Sequence, residues 1–120
     1  MSRQRFRFSK SRRLTKPREF DQVRQSARAQ RGEFLVLSVL SAAAVDRLRA
    51  GFVTSRAVGS AVVRNRVRRR LREIVRKHQH EIRDGIWIVT IARGGASAAS
   101  YEQLEAEWLR LARRASILAP

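Results

Sequence analysis

Cysteine is absent from the 120 residues, so neither a disulfide scaffold nor a cysteine-ligated zinc site is open to this chain. No apolar run approaches the ~20 residues that a membrane-spanning helix requires. Acids are scarce: 10 aspartates and glutamates face 27 lysines and arginines, a formal net charge of +17. Asp21, Asp46 and Asp84 lie in separate segments, and no Ser-His-Asp or phosphate-loop arrangement is visible. A nuclease built from protein groups alone needs clustered carboxylates for metal ions, or a histidine placed for proton transfer. No catalytic residue and no protein-held metal are therefore expected. Lysine is nearly missing, with only Lys10, Lys16 and Lys77, so the excess charge is arginine. Arginine presents a planar donor fork suited to phosphate and stacks on bases, whereas lysine acts more as a point charge. That balance favours nucleic acid over a generic acidic partner, and RNA slightly over DNA, because stacking suits unpaired bases.

What is present is enough for one folded domain. The length fits a single unit, and 43% hydrophobic residues argue for a globule with a modest core. Residues 1–13 hold six basic residues, no acid, and Phe6 and Phe8, which reads as a flexible arm that orders on a polyanion. They lack the apolar block and small-residue cleavage site of a secretory signal, so a cytoplasmic protein is the simplest expectation. The folded domain is expected over 14–118.

Thr15 or Lys16 suits a helix N-cap and Pro17 its first turn, with Phe20, Val23 and Ala27 at helical spacing. Phe34 to Leu40 is a strand-length apolar run, buried on much of both faces. Ser41 to Asp46 reads as a hairpin connection, and Arg47 to Thr54 as a second strand with Leu48, Ala50 and Phe52 on one face. A long helix begins near Ser60 and runs to about His80. Asp84-Gly85 makes a turn before the strand Ile86 to Ile91. Ser100 and Gln103 form a capping box for a last helix that buries Leu104, Trp108, Leu111 and Ala115. The order is helix, two to three strands, helix, strand, helix: an α+β fold with helices packed on one sheet.

The long helix carries the strongest signal. From Arg64 to Lys77 it holds eight basic residues and one acid, Glu73. At 100° per residue, Val63, Val67, Leu71, Ile74 and Val75 share a core-facing stripe. Asn65, Arg68, Arg69, Arg72 and Arg76 fall opposite, with Arg64 at the border and Arg66 and Arg70 flanking. A solvated face mixes signs at i and i+4, where opposite charges stabilise by ~0.2–0.5 kcal/mol per pair. Here only Glu73 offers such pairing, with Arg69 and Lys77, so the face is read as binding a polyanion. Glu102, Glu105 and Glu107 are expected to complement the dipole of the last helix and solubilise its face. His78 and His80 are expected to complement the end of the long helix.

The run Arg49-Ala50-Gly51-Phe52-Val53-Thr54-Ser55-Arg56, followed by Gly59-Ser60-Ala61-Val62-Val63-Arg64-Asn65-Arg66-Val67-Arg68-Arg69, resembles the protein subunit of bacterial ribonuclease P. Arg13-Leu14, Glu19-Phe20, Val23 and the strand from Ile86 to Arg93 extend the likeness over roughly 12–116. An Arg-Asn-Arg tripeptide alone is weak; the ordered set is specific. The resemblance implies a three-layer α+β domain with a left-handed βαβ crossover. It also implies a partner, the catalytic ribonuclease P RNA, and a substrate, precursor tRNA, whose 5′ leader is removed by the RNA with bound Mg²⁺. Carried over by position, Arg56, Arg64, Asn65, Arg66, Arg68, Arg69 and Arg72 become the RNA-binding set. Arg13, Phe20, Arg24 and Leu37 become the leader-binding cleft. Arg24 and Leu37 stand where family members often have aromatics, so charge and apolar contact replace stacking there. Ala57 stands where a second basic residue is common. No membrane association and no obligate protein partner are implied. Composition alone also fits a structural ribosomal protein, and a DNA-reading basic helix is disfavoured by the absence of zipper heptads.

Overall fold

The computed structural model describes residues 13, 14, 16–26, 28–41, 48–83 and 85–119, with backbone only for 24–26 and 41. The arm expected over 1–13 therefore lies outside the described residues except for Arg13, as do Thr15, Ala27, Asp46 and Asp84. Helix α1 spans Pro17–Ser26, β1 Arg28–Arg31, β2 Leu35–Ser41, β3 Arg49–Thr54, α2 Ala61–His78, β4 Ile86–Ala92 and α3 Tyr101–Arg114. Short 3-10 turns occupy Arg56–Val58, Gln79–Glu81 and Gly94–Ala98.

The helices start where their caps require. Lys16 precedes Pro17, and its backbone N–H donates to Glu19 Oε1 at 3.1 Å. The Ser60 side chain accepts the N–H of Val63 at the head of α2. At α3 the capping box is complete, with Ser100 Oγ accepting from Gln103 and Gln103 Oε1 accepting from Ser100.

The sheet order is β1-β2-β4-β3. β2 is antiparallel to β1 and β4, while β3 and β4, joined through α2, are parallel, so β4 lies between β2 and β3 and the hairpin expected of these two strands does not form. Alternation along the strands sends two sets of side chains to opposite faces. Leu35, Leu37, Val39, Ala50 and Ile88 meet Val67, Leu71, Ile74 and Val75 of α2 and Leu104, Trp108 and Leu111 of α3. On the other face Leu40 and Val89 meet Leu14 and Val23, with Phe20, Val53, Trp87 and Ile91 packed around them. The fold is thus three-layered, α1 on one side and α2 with α3 on the other. No helix among the described residues is long and apolar enough to cross a membrane.

β1 is not legible as a strand in the sequence. Its residues, Arg28-Ala29-Gln30-Arg31, carry no apolar alternation, and three of the four are exposed. It forms because it pairs in register with the buried β2, from Arg28 opposite Val39 to Arg31 opposite Val36. Arginines on this outer edge discourage further strand addition.

The acids of α3 do not merely solubilise it. Glu107 is 2% exposed and accepts the backbone N–H groups of Glu33, Phe34 and Leu35 at 3.0, 2.7 and 2.7 Å. It thereby ties the β1–β2 connection to α3, with Arg110 as its ion-pair partner at 3.1 Å. Gly32 lets the carboxylate in, since a Cβ there would stand 2.5 Å from Glu107 Cδ. Glu105 joins α3 to the end of α2, pairing with Lys77 Nζ at 2.9 Å and His78 Nε2 at 2.8 Å. His78, expected only to complement a helix end, also stacks on Trp108 and meets Glu81 at 2.7 Å through Nδ1. Glu73 pairs with Arg76 rather than with Arg69 or Lys77.

Candidate nucleic-acid interface

The edge strand β3 is the floor of the site. Arg13 and Leu14 run alongside it, with Arg13 bridged to Ala50 and the Leu14 N–H donating to the Ala50 carbonyl at 2.9 Å. Phe20 reaches it from α1, and Arg68 and Arg72 lean toward it from α2. Together with Gly51 and Phe52, these residues enclose an open groove of about 220 Å³. A second depression, about 290 Å³, lies on the outward face of α2 between Asn65, Arg68, Arg69 and Arg72. Arg68 and Arg72 are walls of both.

Helical phase explains this arrangement. Val67, Leu71, Ile74 and Val75 are buried against the sheet, which turns Asn65, Arg66 and Arg69 to solvent and leaves Arg64, Arg68 and Arg72 half-buried at the border. Arg56 is exposed on the turn before the helix. Arg70 instead anchors the helix, donating to the Ala99 carbonyl at 3.1 Å. Arg76 is drawn off the polyanion face by Glu73.

Positive charge is concentrated in the grooves: Arg13, Arg68 and Arg72 line one, and Arg68, Arg69 and Arg72 the other. Neither lining contains a carboxylate. Four glutamates pair outside these linings: Glu19 with Arg49 at 3.0 Å, Glu73 with Arg76, and Glu105 and Glu107 as described. Burial, followed by repulsion from Arg13 and then Arg68, holds Arg72 below the usual guanidinium range. Among the described residues, Nε of Arg72 and Nε of Arg64 are buried with no hydrogen-bond partner. Guanidiniums lining a groove that holds no carboxylate suit an anion that brings several acceptor oxygens, as a phosphate chain does.

Such a lining does not fit a divalent cation, which takes oxygen ligands. No three His, Asp or Glu side chains among the described residues could hold one. No chemical step is therefore assigned to a metal on this chain.

Of the cleft residues expected from sequence, Arg13 and Phe20 line the groove together. Leu37 does not, and this corrects the expectation. It is 0% exposed and belongs to the core under α2 and α3, on the sheet face opposite α1. Strand alternation sends Val36, Ser38 and Leu40 toward α1 instead. The side chain of Arg24 lies outside the described residues. Leu14, Gly51 and Phe52 are groove residues that sequence reasoning misses. A glycine inside a strand signals close backbone approach, which is the one cue that points to Gly51.

Residues 8–116 match the family model described as Ribonuclease P. A ribonuclease P protein component from Syntrophomonas wolfei is 34% identical over 110 residues, covering 92% of each chain. One from Herpetosiphon aurantiacus is 39% identical over 108 residues, covering 90% of this chain and 87% of that one. The ribonuclease P protein of Thermotoga maritima superposes with a TM-score of 0.75 at 28% identity, covering 85% of this chain and 96% of that one. That of Staphylococcus aureus gives a TM-score of 0.83 at 24% identity over 91% and 99%, a likeness of fold. With a family match spanning both grooves and every element of the sheet, the chain belongs to the ribonuclease P protein components, subunits of the ribonucleoprotein endoribonuclease of tRNA processing.

Proposed function

We propose that this chain binds the catalytic ribonuclease P RNA through the outward face of α2 and the 5′ leader of precursor tRNA in the groove beside β3. The carrying observation is the convergence of Arg13, Arg68 and Arg72 beside Phe20 with no carboxylate among them. A single-stranded leader supplies what that groove lacks: phosphates for the guanidiniums, and base faces for the ring of Phe20. Arg56, Arg64, Asn65, Arg66 and Arg69 extend the contact to the RNA subunit, and Arg24 would add to the leader side. Hydrolysis of the phosphodiester belongs to the RNA and the Mg²⁺ it holds. The protein's part is electrostatic: it screens the repulsion between two polyanions, which lowers the Mg²⁺ needed to bring them together. The cytoplasm, where tRNA is made in bacteria, is the compartment this role requires.

The test is Arg68→Ala with Arg72→Ala. Neither residue belongs to the apolar stripe, so the double variant should retain its fold and its unfolding midpoint. Its affinity for precursor tRNA in the reconstituted holoenzyme should drop, and the log–log salt slope should become shallower by ~0.7–0.9 for each phosphate no longer neutralised. An unfolded double variant would make these arginines structural. A folded one with unchanged affinity would remove the grooves from RNA binding. Pull-down of ribosomal RNA in place of the ribozyme RNA would favour a ribosomal role.

A further inference from the structure

Arg68 is fixed in place without being neutralised. Its Nη2 donates to Thr54 Oγ1 at 2.6 Å and its Nη1 to Asn65 Oδ1 at 3.1 Å. Both acceptors are uncharged. Arg49, Arg76 and Arg110 are instead held by carboxylates that cancel their charge locally. A guanidinium carries more N–H donors than these two bonds use, so Arg68 keeps both its full charge and free donors. Because it lines both grooves, its direction matters to both.

Thr54 is placed to set that direction. It is the last residue of β3, opposite Ala92 of β4, and is only 7% exposed. A hydroxyl on a β-branched residue held in a strand and nearly buried has little freedom to follow a mobile side chain. Asn65, by contrast, sits on the same helix as Arg68 and is exposed, so it restrains more weakly. We propose that Thr54 is a positioning residue that pre-orients Arg68 as a phosphate receptor at the junction of the two grooves. The inference rests on the RNA-facing role proposed for Arg68 and adds a residue outside the basic helix to it. Holding the fork before binding reduces the ordering cost incurred when RNA arrives.

The test compares Thr54→Val, which keeps the shape and deletes the acceptor, with Thr54→Ser, which keeps the acceptor. Each is reconstituted with the RNA subunit and titrated with precursor tRNA carrying a single-stranded leader. Thr54→Val should weaken binding by roughly three- to tenfold, the scale of one hydrogen bond, and Thr54→Ser should bind within about twofold of wild type. The unfolding midpoint of Thr54→Val should not fall. In an Arg68→Ala background Thr54→Val should have no further effect, because the two residues act as one unit. Thr54→Val binding like wild type, or losses that add with those of Arg68→Ala, would overturn the positioning role alone. Arg68→Ala binding like wild type would overturn both that role and the RNA-facing reading beneath it.

Discussion

The ring of Phe20 lies against the backbone of Gly51 so closely that a Cβ at Gly51 would stand 2.5 Å from Phe20 Cε1. The glycine is needed for space at the groove floor, since the ring is what fills the missing side chain's position. Gly51→Ala should therefore push Phe20 out of place and destabilise the fold by about 1–3 kcal/mol, the scale of overpacking. In a Phe20→Ala background, where the ring is gone, the same substitution should cost little. Chemical denaturation of the two single variants and the double variant checks this. Equal costs in both backgrounds would mean that the ring does not rest on Gly51.

Arg72→Gln separates stability from binding. Burial and the neighbouring Arg13 and Arg68 lower the guanidinium's pKa, which means the fold disfavours its charged form. Removing that charge should leave the unfolding midpoint unchanged or higher. RNA affinity should fall, with a salt slope shallower by ~0.7–0.9 if Arg72 neutralises one phosphate. A less stable variant with unaltered salt dependence would make Arg72 a packing residue.

Glu107→Ala removes the acceptor of three backbone N–H groups, of which that of Leu35 is buried. A loss of about 1–3 kcal/mol is expected, the scale of leaving a buried donor unsatisfied, since the ion-pair partner Arg110 is exposed. Amide hydrogen exchange at Glu33, Phe34 and Leu35 should accelerate. RNA affinity per folded molecule should stay as it was, because Glu107 lines neither groove.

Acid should loosen the junction of α2 and α3. Hydrogen bonds from Lys77, then from His78, hold the Glu105 carboxyl below its ordinary value of 4.5. A carboxyl whose folded-state pKa is depressed contributes stability above its unfolded pKa and loses it as pH falls through the folded one. Wild type should therefore lose stability progressively below about pH 4.5, and Glu105→Gln should lose less over the same window. Thermal unfolding of both proteins from neutral pH down into that acid range tests it, and parallel curves would contradict it.

Much of this fold is written in local pattern. Ser60, Pro17 and the Ser100–Gln103 box mark helix starts because capping is a short-range matter, and the stripe through Val67, Leu71 and Ile74 gives the phase of α2. The outward arginines of the site follow from that phase. What sequence could not supply depends on residues distant along the chain. β1 exists only through its pairing with β2, and Leu37 is in the opposite layer from the one expected because register decides which face a strand residue takes. Glu107 reads as a surface acid until the β1–β2 connection is laid on it. Thr54 carries no local signal at all, and its relation to Arg68 appears only when α2 packs back over β3.

If this arginine-lined protein serves the chemistry of an RNA, reconstitution with the cognate RNA subunit should show it. Cleavage of precursor tRNA is followed across a Mg²⁺ titration, with and without this chain. At low Mg²⁺ the chain should be required for release of the 5′ leader and appearance of the mature 5′ end, and Arg68→Ala with Arg72→Ala should restore much of the dependence on high Mg²⁺. Identical Mg²⁺ profiles with and without the chain, or cleavage by the chain in the absence of RNA subunit, would contradict it.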